Sequence, residues 1–477
     1  MNQPARKAIL AGMAWCVVCP ADRTASERVE SSLLAAARLA GSGKPVEATT
    51  LYEAGVAAAR TPGVSPGLLA KACNNLGSHY YSLGRYEESE RSLREALKIW
   101  SGLPDADRSH VAAALHNLGE LSRVRGRFAE AEQLLARALA LREEAGDTAA
   151  LASTLNAAGL LRARRRDWTG AEEAHMRALT LQERHFGGDH PAVAATLNNL
   201  AELRRVTGRL PEAEELFRRS LAIKERVFGS GHPGLAETLN NYAVLLAQQG
   251  DYAAAERLHR RSIDLRERAF GPDHPGLAPA WNNLGFALRK SGRLEDARTA
   301  FEKSLALYER SAGPRHTDTA RAANNLGELL MAEARLAPAD SLLRKALEIT
   351  EAQAEPDHAL LGAILTNMGV LFMRQGKHRG AESLFRRAAD CAERYAGPDS
   401  SERAAALAET ARAVAAQGRD TEATSILRRA AAIYETAPAA DPAERRRAFR
   451  DLVDALRRSH KTDEAERIEL RFLAQEP

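Results

Sequence analysis

Small residues recur every 42 residues along most of this 477-residue chain. One series consists of Ala171, Ala213, Ala255, Ala297, Ala339, Ala381, Ala423 and Ala465. A second series lies twelve residues earlier in each unit and includes Gly159, Ala201, Ala243, Gly285, Gly327, Gly369 and Ala411. A fixed period of roughly 20 to 50 residues is typical of stacked repeats. The chain is therefore predicted to form one continuous array, although its length alone would suggest about three globular domains.

Each repeat reads as a pair of helices. In the best-defined unit, Val193, Leu197, Leu200 and Leu203 fall on one helical stripe, Gly208 ends that helix, and Pro211 suits the first turn of a second one. The small residues twelve apart predict two helices that cross closely. No segment alternates as a β-strand would, so we expect an all-α fold. A lone hairpin cannot bury its apolar stripe, and neighbouring hairpins must stack into a solenoid.

Paired asparagines are the second repeated feature. They occur in TLNNLAELRRVTGR, residues 196–209, and again in LNNY, WNNL and ANNL at intervals of 42 residues. Asparagine costs about 0.5–0.7 kcal/mol relative to alanine inside a helix. Because the chain repeats this cost, the pairs are predicted to have a structural or binding role.

The segment LNNLAELRRVTGRLPEAEELFRRSLAIKERVFGSGHP resembles the 42-residue tetratricopeptide repeat of kinesin light chains. The residues that match the general pattern are Leu197, Leu200, Ala201, Ala213, Phe217 and Ser220. The resemblance covers roughly residues 26–475 and implies a right-handed superhelical solenoid of about eleven hairpins. It is specific for the fold and not for the biological role. No long heptad coiled coil precedes the repeats, so the resemblance does not imply motor–cargo transport.

The array is predicted to span residues 22–439, followed by a C-terminal capping hairpin at residues 440–477. Residues 1–21 differ from the rest, because Arg6 and Lys7 precede an apolar run and small residues follow it. This pattern favours an export signal and hence a periplasmic or secreted protein, with a hydrophobic helix capping the first repeat as the alternative. The run is too short for a spanning helix in the mature chain.

The resemblance implies that the first helices line a concave groove and that one asparagine of each pair faces a bound extended peptide. The corresponding residues here are Asn75, Asn117, Asn199, Asn241, Asn283, Asn325 and Asn367, and Ala157 interrupts the series. An amide both donates and accepts hydrogen bonds, so this row could hold peptide backbone without reading side chains. Hydrogen bonding within the scaffold is the alternative. It is the preferred interpretation for the other members, Asn74, Asn156, Asn198, Asn240, Asn282 and Asn324.

Charged residues near the asparagines are predicted to select the ligand. Lys71, Arg164, Lys290, Arg321 and Arg374 share the groove face, and Arg123, Arg205 and Arg289 lie at its edge. The facing acidic residues include Glu120, Glu202, Glu237 and Glu328, and the apolar ones are Val244, Phe286 and Val370. The excess of basic residues favours an acidic peptide. Salt bridges within the groove, for example between Arg321 and Glu328, are the alternative.

No catalytic, cofactor or metal site is predicted. The loop histidines His190, His232, His274, His316 and His358 are too far apart to share one metal ion, and they read as loop and cap residues. The sequence GVSPG at residues 63–67 lacks the N–H after its serine that a nucleophile elbow uses. Basic pairs on the second helices, such as Arg218 with Arg219, follow glutamates and indicate a solvated face. The formal net charge of only +4 argues against nucleic acid as a partner.

These observations together predict a non-enzymatic scaffold or adaptor that binds a protein or peptide in its groove, without cofactors. The alternative is a sensor in which a bound peptide or partner changes the pitch of the array and so controls a separate signalling enzyme.

Overall fold

The computed structural model describes residues 24–41, 44–103, 108–353, 356–437 and 441–472. The predicted signal or capping segment at residues 1–21 lies outside these ranges. The described residues form helices joined by short turns, and no strand occurs among them. This confirms the all-α prediction.

Twenty-two α-helices follow one another in the described part of the chain, as eleven successive helix–turn–helix units. The helices are α1 Ala25–Gly41, α2 Pro45–Ala59, α3 Pro66–Ser82, α4 Tyr86–Ser101, α5 Arg108–Val124, α6 Phe128–Ala145, α7 Thr148–Arg164, α8 Trp168–Phe186, α9 Pro191–Val206, α10 Leu210–Phe228, α11 Ala236–Gln248, α12 Tyr252–Phe270, α13 Leu277–Lys290, α14 Leu294–Ser311, α15 Thr317–Ala332, α16 Leu336–Glu351, α17 His358–Arg374, α18 His378–Ala396, α19 Ser401–Ala415, α20 Asp420–Thr436, α21 Pro442–Arg458 and α22 Thr462–Phe472. A 3₁₀ turn at Pro233–Leu235 leads into α11.

The helices divide into two compact units. The N-terminal unit extends to Leu245 and includes Arg268–Gly271, whereas Leu246–Glu267 and the residues from Pro272 onwards form the C-terminal unit. In the C-terminal unit a large apolar cluster runs from Ile263 to Ala465. Within this unit the core is continuous from hairpin to hairpin, as expected for stacked repeats.

The small residues allow the two helices of a hairpin to approach closely. The hydroxyl of Ser89 donates to the carbonyl of Gly77 at 2.7 Å where α3 and α4 cross. A Cβ atom added to Gly369 would lie 2.5 Å from Cε1 of Phe385, one turn beyond Ala381. The glycine series therefore makes room for the large side chain found sixteen residues later, in addition to the small residue twelve residues later.

The described turns within the hairpins from α3 onwards use left-handed backbone. Gly208 has φ of +81° and Gly292 has φ of +80°, values that glycine adopts without a Cβ penalty. In three repeats that lack this glycine, Arg166, Ala334 and His460 keep the same conformation, with φ of +62°, +59° and +57°. At these three turns a residue with a Cβ atom adopts the left-handed conformation at a steric cost.

The loop histidines lie at the starts of first helices. Nδ1 of His190, His232 and His316 accepts the backbone N–H two residues ahead, at 3.1, 3.0 and 3.2 Å. Nδ1 of His274 accepts the N–H of Gly276 at 3.1 Å. Four of the five loop histidines therefore satisfy orphan N–H groups at helix starts, as the cap interpretation predicts. At His358 the capping side chain belongs to the preceding residue, Asp357.

Ion pairs cover the basic face of the second helices. Arg218 lies 2.5 Å from Glu214, and Arg386 lies 2.9 Å from Glu382, each one turn earlier. Arg386 also lies 2.9 Å from Glu422 in the next hairpin. The basic residues of this face are thus neutralised locally, which agrees with a solvated surface. Pairs this exposed contribute about 0.2–1 kcal/mol each.

Candidate functional site

The predicted groove asparagines all lie on first helices, and the side chains of all seven are partly exposed. Leu197 and Leu200, on either side of the pair Asn198 and Asn199, are buried. The apolar stripe therefore fixes the rotation of the helix, and its rotation places the asparagine row at the edge of the core. Within each unit, this row is the polar surface of the first helices.

Asparagines of successive hairpins are joined by hydrogen bonds. The amide of Asn117 donates to Oδ1 of Asn74 at 3.0 Å, and Asn241 donates in the same way to Asn198 at 3.4 Å. In the C-terminal unit, Asn325 donates to Asn282 at 2.8 Å and Asn367 donates to Asn324 at 3.0 Å. Each bond joins residues 43 apart. We call these four bonds the amide ladder.

The amide ladder resolves the role of the second set of asparagines in part. The sequence predicts scaffold hydrogen bonds for that set, and Asn74, Asn198, Asn282 and Asn324 accept them. Their donors are the groove asparagines, so Asn117, Asn241, Asn325 and Asn367 each commit one N–H to the scaffold. Among the described residues, no hydrogen bond reaches the side chains of Asn75 and Asn199 or Oδ1 of Asn325 and Asn367.

Several predicted groove charges are paired with each other. Arg205 lies 2.7 Å from Glu202, and Arg123 lies 2.9 Å from Glu120. The carboxylate of Glu202 holds the pKa of Arg205 above its ordinary value, against the opposing effect of burial. These guanidinium groups are less available to an acidic ligand than the sequence suggests.

The proposed pair between Arg321 and Glu328 is wrong. Arg321 lies 3.0 Å from Asp357 at the start of the next first helix, while Glu328 lies 2.6 Å from Arg289 of the preceding one. The error has a physical reason, because stacked first helices bring residues about 36 to 39 positions apart closer than residues two turns apart on one helix.

Two other basic residues of the groove face, Lys290 and Arg374, have different surroundings. Nζ of Lys290 lies 5.6 Å from the ring centroid of Phe286, whose side chain is 43% exposed. Arg374 is exposed and donates to the backbone carbonyl of Met331 at 2.5 Å. Among the described residues, neither Lys290 nor Arg374 forms an ion pair with an acidic group. Val244 and Val370 are partly exposed on the same face.

The C-terminal unit contains a groove of about 490 Å³ between successive first helices. Its walls come from α15, α17, α19 and the start of α21, and its floor includes the end of α18. Of the predicted site residues, this groove brings together Asn325, Glu328 and Asn367. Lys290, Arg321 and Arg374 are not among the residues that line it.

Sequence reasoning missed four further residues of this groove, namely Tyr395, Glu402, Glu409 and Glu444. The 42-residue period could have found one of them, because Glu409 follows Asn367 by one repeat and Asp451 follows by two. The amide series therefore ends in carboxylates. Arg412 lies 2.6 Å from Asp451 and also pairs with Glu409, and so joins the last two members.

The described residues offer no metal site, since they contain no group of three or more histidine, cysteine or acidic side chains that could hold an ion. Both cysteines among them are buried and free, and burial raises the pKa of the Cys73 thiol to about 12. A thiol with so high a pKa is a poor nucleophile. None of the described helices has the length and apolar character needed to cross a membrane.

The repeats match a known family of repeat proteins. The family model described as "Tetratricopeptide repeat" matches residues 68–144, 150–226, 195–268, 234–285, 276–352 and 360–436. These matches cover more than half of the chain. No curated protein matches the sequence at a significant level.

Among solved structures, the apo form of the quorum sensor NprR from B. thuringiensis is similar over 76% of this chain and 98% of its own, with 14% identity and a TM-score of 0.54. The kinesin light chain TPR-like repeats from Podosopora anserina are 19% identical over 43% of this chain and 97% of theirs, with a TM-score of 0.37. Pseudomonas aeruginosa pilF is 19% identical over 53% of this chain and 94% of its own, with a TM-score of 0.36. Of these, the similarity to NprR supports the fold.

Proposed function

This chain belongs to the tetratricopeptide repeat family, and on that premise we propose that it is a non-enzymatic scaffold that binds an extended peptide segment along its first helices. Repeats of this family form protein-interaction scaffolds with extended concave binding surfaces. The observation that carries the peptide proposal is the row of partly exposed asparagines, in which Oδ1 of Asn325 and of Asn367 accepts no hydrogen bond from any described residue.

The amide ladder supports this function by fixing the amides in place. When one N–H of Asn325 donates to Asn282, the side-chain torsion is set and Oδ1 keeps a defined direction. A peptide N–H can then donate to Oδ1 without the loss of entropy that ordering a free side chain would require. Because such a row binds the backbone of the peptide, it would accept peptides of different sequence in one extended conformation.

Selectivity would come from the residues beside the row. The uncompensated charges of Lys290 and Arg374 would attract acidic side chains of the ligand, and the exposed ring of Phe286 would contact an apolar one. The other cations have a smaller role, because Arg205, Arg289 and Arg321 already pair with carboxylates. We therefore propose an acidic segment as the ligand near Lys290.

The proposal is tested by affinity capture with the full chain and with a variant that carries Asn241→Ala, Asn283→Ala and Asn325→Ala. A partner that binds the full chain and is lost from this variant supports the groove. Equal recovery of every partner from both proteins would rule it out.

A matched control separates binding from stability. Asn198→Ala with Asn282→Ala breaks the same two ladder bonds from the acceptor side but keeps Asn241 and Asn325 in place. If the control loses the partner as completely as the triple variant, the loss reports weakened stacking and not ligand contact.

A sensor function is the alternative. Ligand binding would then change the pitch of the array, and small-angle scattering would show a change in the radius of gyration when the captured partner segment is added. An unchanged radius at saturation favours the scaffold.

A further inference from the structure

The groove of about 490 Å³ in the C-terminal unit has an unusual charge pattern. Among the described residues that line it are four carboxylates, from Glu328, Glu402, Glu409 and Glu444, and no lysine or arginine. The chain as a whole carries a formal charge of +4, so this acidity is local. A groove lined by one sign of charge concentrates ligands of the opposite sign.

Two of the carboxylates have cationic partners outside the groove. Arg289 lies 2.6 Å from Glu328, and Arg412 pairs with Glu409. Arg447 lies 3.9 Å from Glu409 and is largely exposed. These contacts reduce the negative charge on α15 and on the middle of α19.

The other two carboxylates, from Glu402 and Glu444, differ in their surroundings. Among the described residues, neither Glu402 nor Glu444 forms an ion pair with a basic side chain. Each lies in the first turn of its helix, α19 or α21, where the helix dipole stabilises a negative charge. Desolvation in the groove and the charges of Asp441 and Glu409 raise the pKa of Glu444, although Arg412 and Arg447 act in the opposite direction. An added cation would relieve this repulsion.

The shape of the groove suits a long side chain. Gly362 and Ala363 of α17 and Ala388 and Ala392 of α18 supply small residues, which leave space between the helices. Tyr395 supplies the one aromatic ring among the lining residues. An aromatic ring next to carboxylates can contact both the aliphatic stem and the charged end of a lysine or arginine.

The polar backbone-binding row enters the same groove. Asn325 and Asn367 line it with carbonyl oxygens that accept no hydrogen bond among the described residues, and at the next repeat position the row changes to Glu409. A peptide that follows the row would therefore bring its side chains to the carboxylates.

We infer that this groove is a subsite for a lysine or arginine side chain of the bound segment, held between Glu402 and Glu444 and against Tyr395. The inference rests on the proposed groove function and adds where the charged side chains of the ligand would lie. Acidic residues of the ligand would lie near Lys290, and a basic residue would lie at the C-terminal end of the row.

Three fluorescein-labelled ten-residue peptides test the subsite, in which alanine alternates with lysine, glutamine or glutamate. Fluorescence anisotropy with the full chain at low salt should show the lysine peptide binding about tenfold more tightly than the glutamine peptide, a difference of about 1.4 kcal/mol. Glu402→Gln combined with Glu444→Gln should remove this preference.

The control variant is Glu302→Gln with Glu348→Gln, which makes the same change in net charge on exposed positions of the second helices α14 and α16. It should keep the tenfold preference. The subsite is overturned if the lysine peptide has no preference, or if the two variants behave alike.

The same peptides separate the subsite from the proposed function. Asn325→Ala with Asn367→Ala should weaken all three peptides to a similar degree if the row holds backbone. If the variant weakens them while no lysine preference exists, the groove function stands and the subsite fails. If the lysine preference survives while the variant has no effect, the subsite stands and the groove function fails.

Discussion

At the scale of single residues, the close packing of the two helices in a hairpin depends on glycines that leave space for a large side chain of the second helix. The sequence places Gly369 opposite Ala381, whereas the contact that needs the glycine is with the ring of Phe385. The asparagines show the same limit, because their hydrogen bonds join residues 43 apart. Such contacts depend on how one hairpin is stacked on the next, which no single repeat contains.

Gly369→Ala is expected to destabilise the protein by about 1–3 kcal/mol, because its Cβ would lie 2.5 Å from the ring of Phe385. Gly362→Ala on the same helix is the control, since its Cβ would make an ordinary contact at 3.5 Å with Cys391. Urea unfolding of both variants measures the difference. Equal midpoints for the two would contradict the close crossing.

Ala334→Gly is expected to stabilise the protein by up to about 1 kcal/mol, because alanine has φ of +59° at this turn and glycine pays no steric penalty there. Gly292→Ala, at the equivalent turn with φ of +80°, should have the opposite effect. Thermal unfolding provides the measurement. A lower melting temperature for Ala334→Gly would show that this turn is not strained.

At the scale of helices, sequence periodicity predicts the hairpins well, because buried stripes, turn glycines and helix-starting prolines agree in most repeats. It does not reveal that polar residues occupy core positions. The large position sixteen residues after the small one is Phe217, Phe301 or Phe385 in three repeats, but it is His175 or His259 in two others. Both histidine side chains are 1% exposed.

Burial lowers the pKa of His175 and His259 to about 4. Between the unfolded pKa of about 6.5 and the folded value, the unfolded chain binds more protons, so stability must fall as the pH decreases through this window. His259→Phe should reduce that fall by about 3 kcal/mol, because phenylalanine does not titrate. Among the described residues, Nδ1 of His259 has no hydrogen-bond partner. Denaturant unfolding at pH 7.5 and pH 4.5 gives the comparison. An unchanged pH dependence in the variant would contradict a neutral buried imidazole.

At the scale of the whole molecule, the sequence predicts the fold and leaves the site less defined. The repeat family and the all-α array of hairpins are confirmed. The groove residues remain a proposal. The sequence predicts the free charges of the groove least well. Arg205, Arg289 and Arg321 form ion pairs with carboxylates, and the order of residues along the chain does not show these contacts. The acidic groove at Glu402 and Glu444 appears only after the first helices are stacked.

The central claim is that the asparagine row binds the backbone of an extended segment, and calorimetric titration of the captured partner segment tests it most directly. The Asn198→Ala, Asn282→Ala control should bind it only slightly more weakly than the full chain, because it keeps both groove amides and loses only the orientation that the amide ladder gives them. The Asn241→Ala, Asn283→Ala, Asn325→Ala variant should bind it about 10- to 100-fold more weakly, as expected for the loss of two or three hydrogen bonds of about 1 kcal/mol each. Equal affinity for all three proteins would contradict the account.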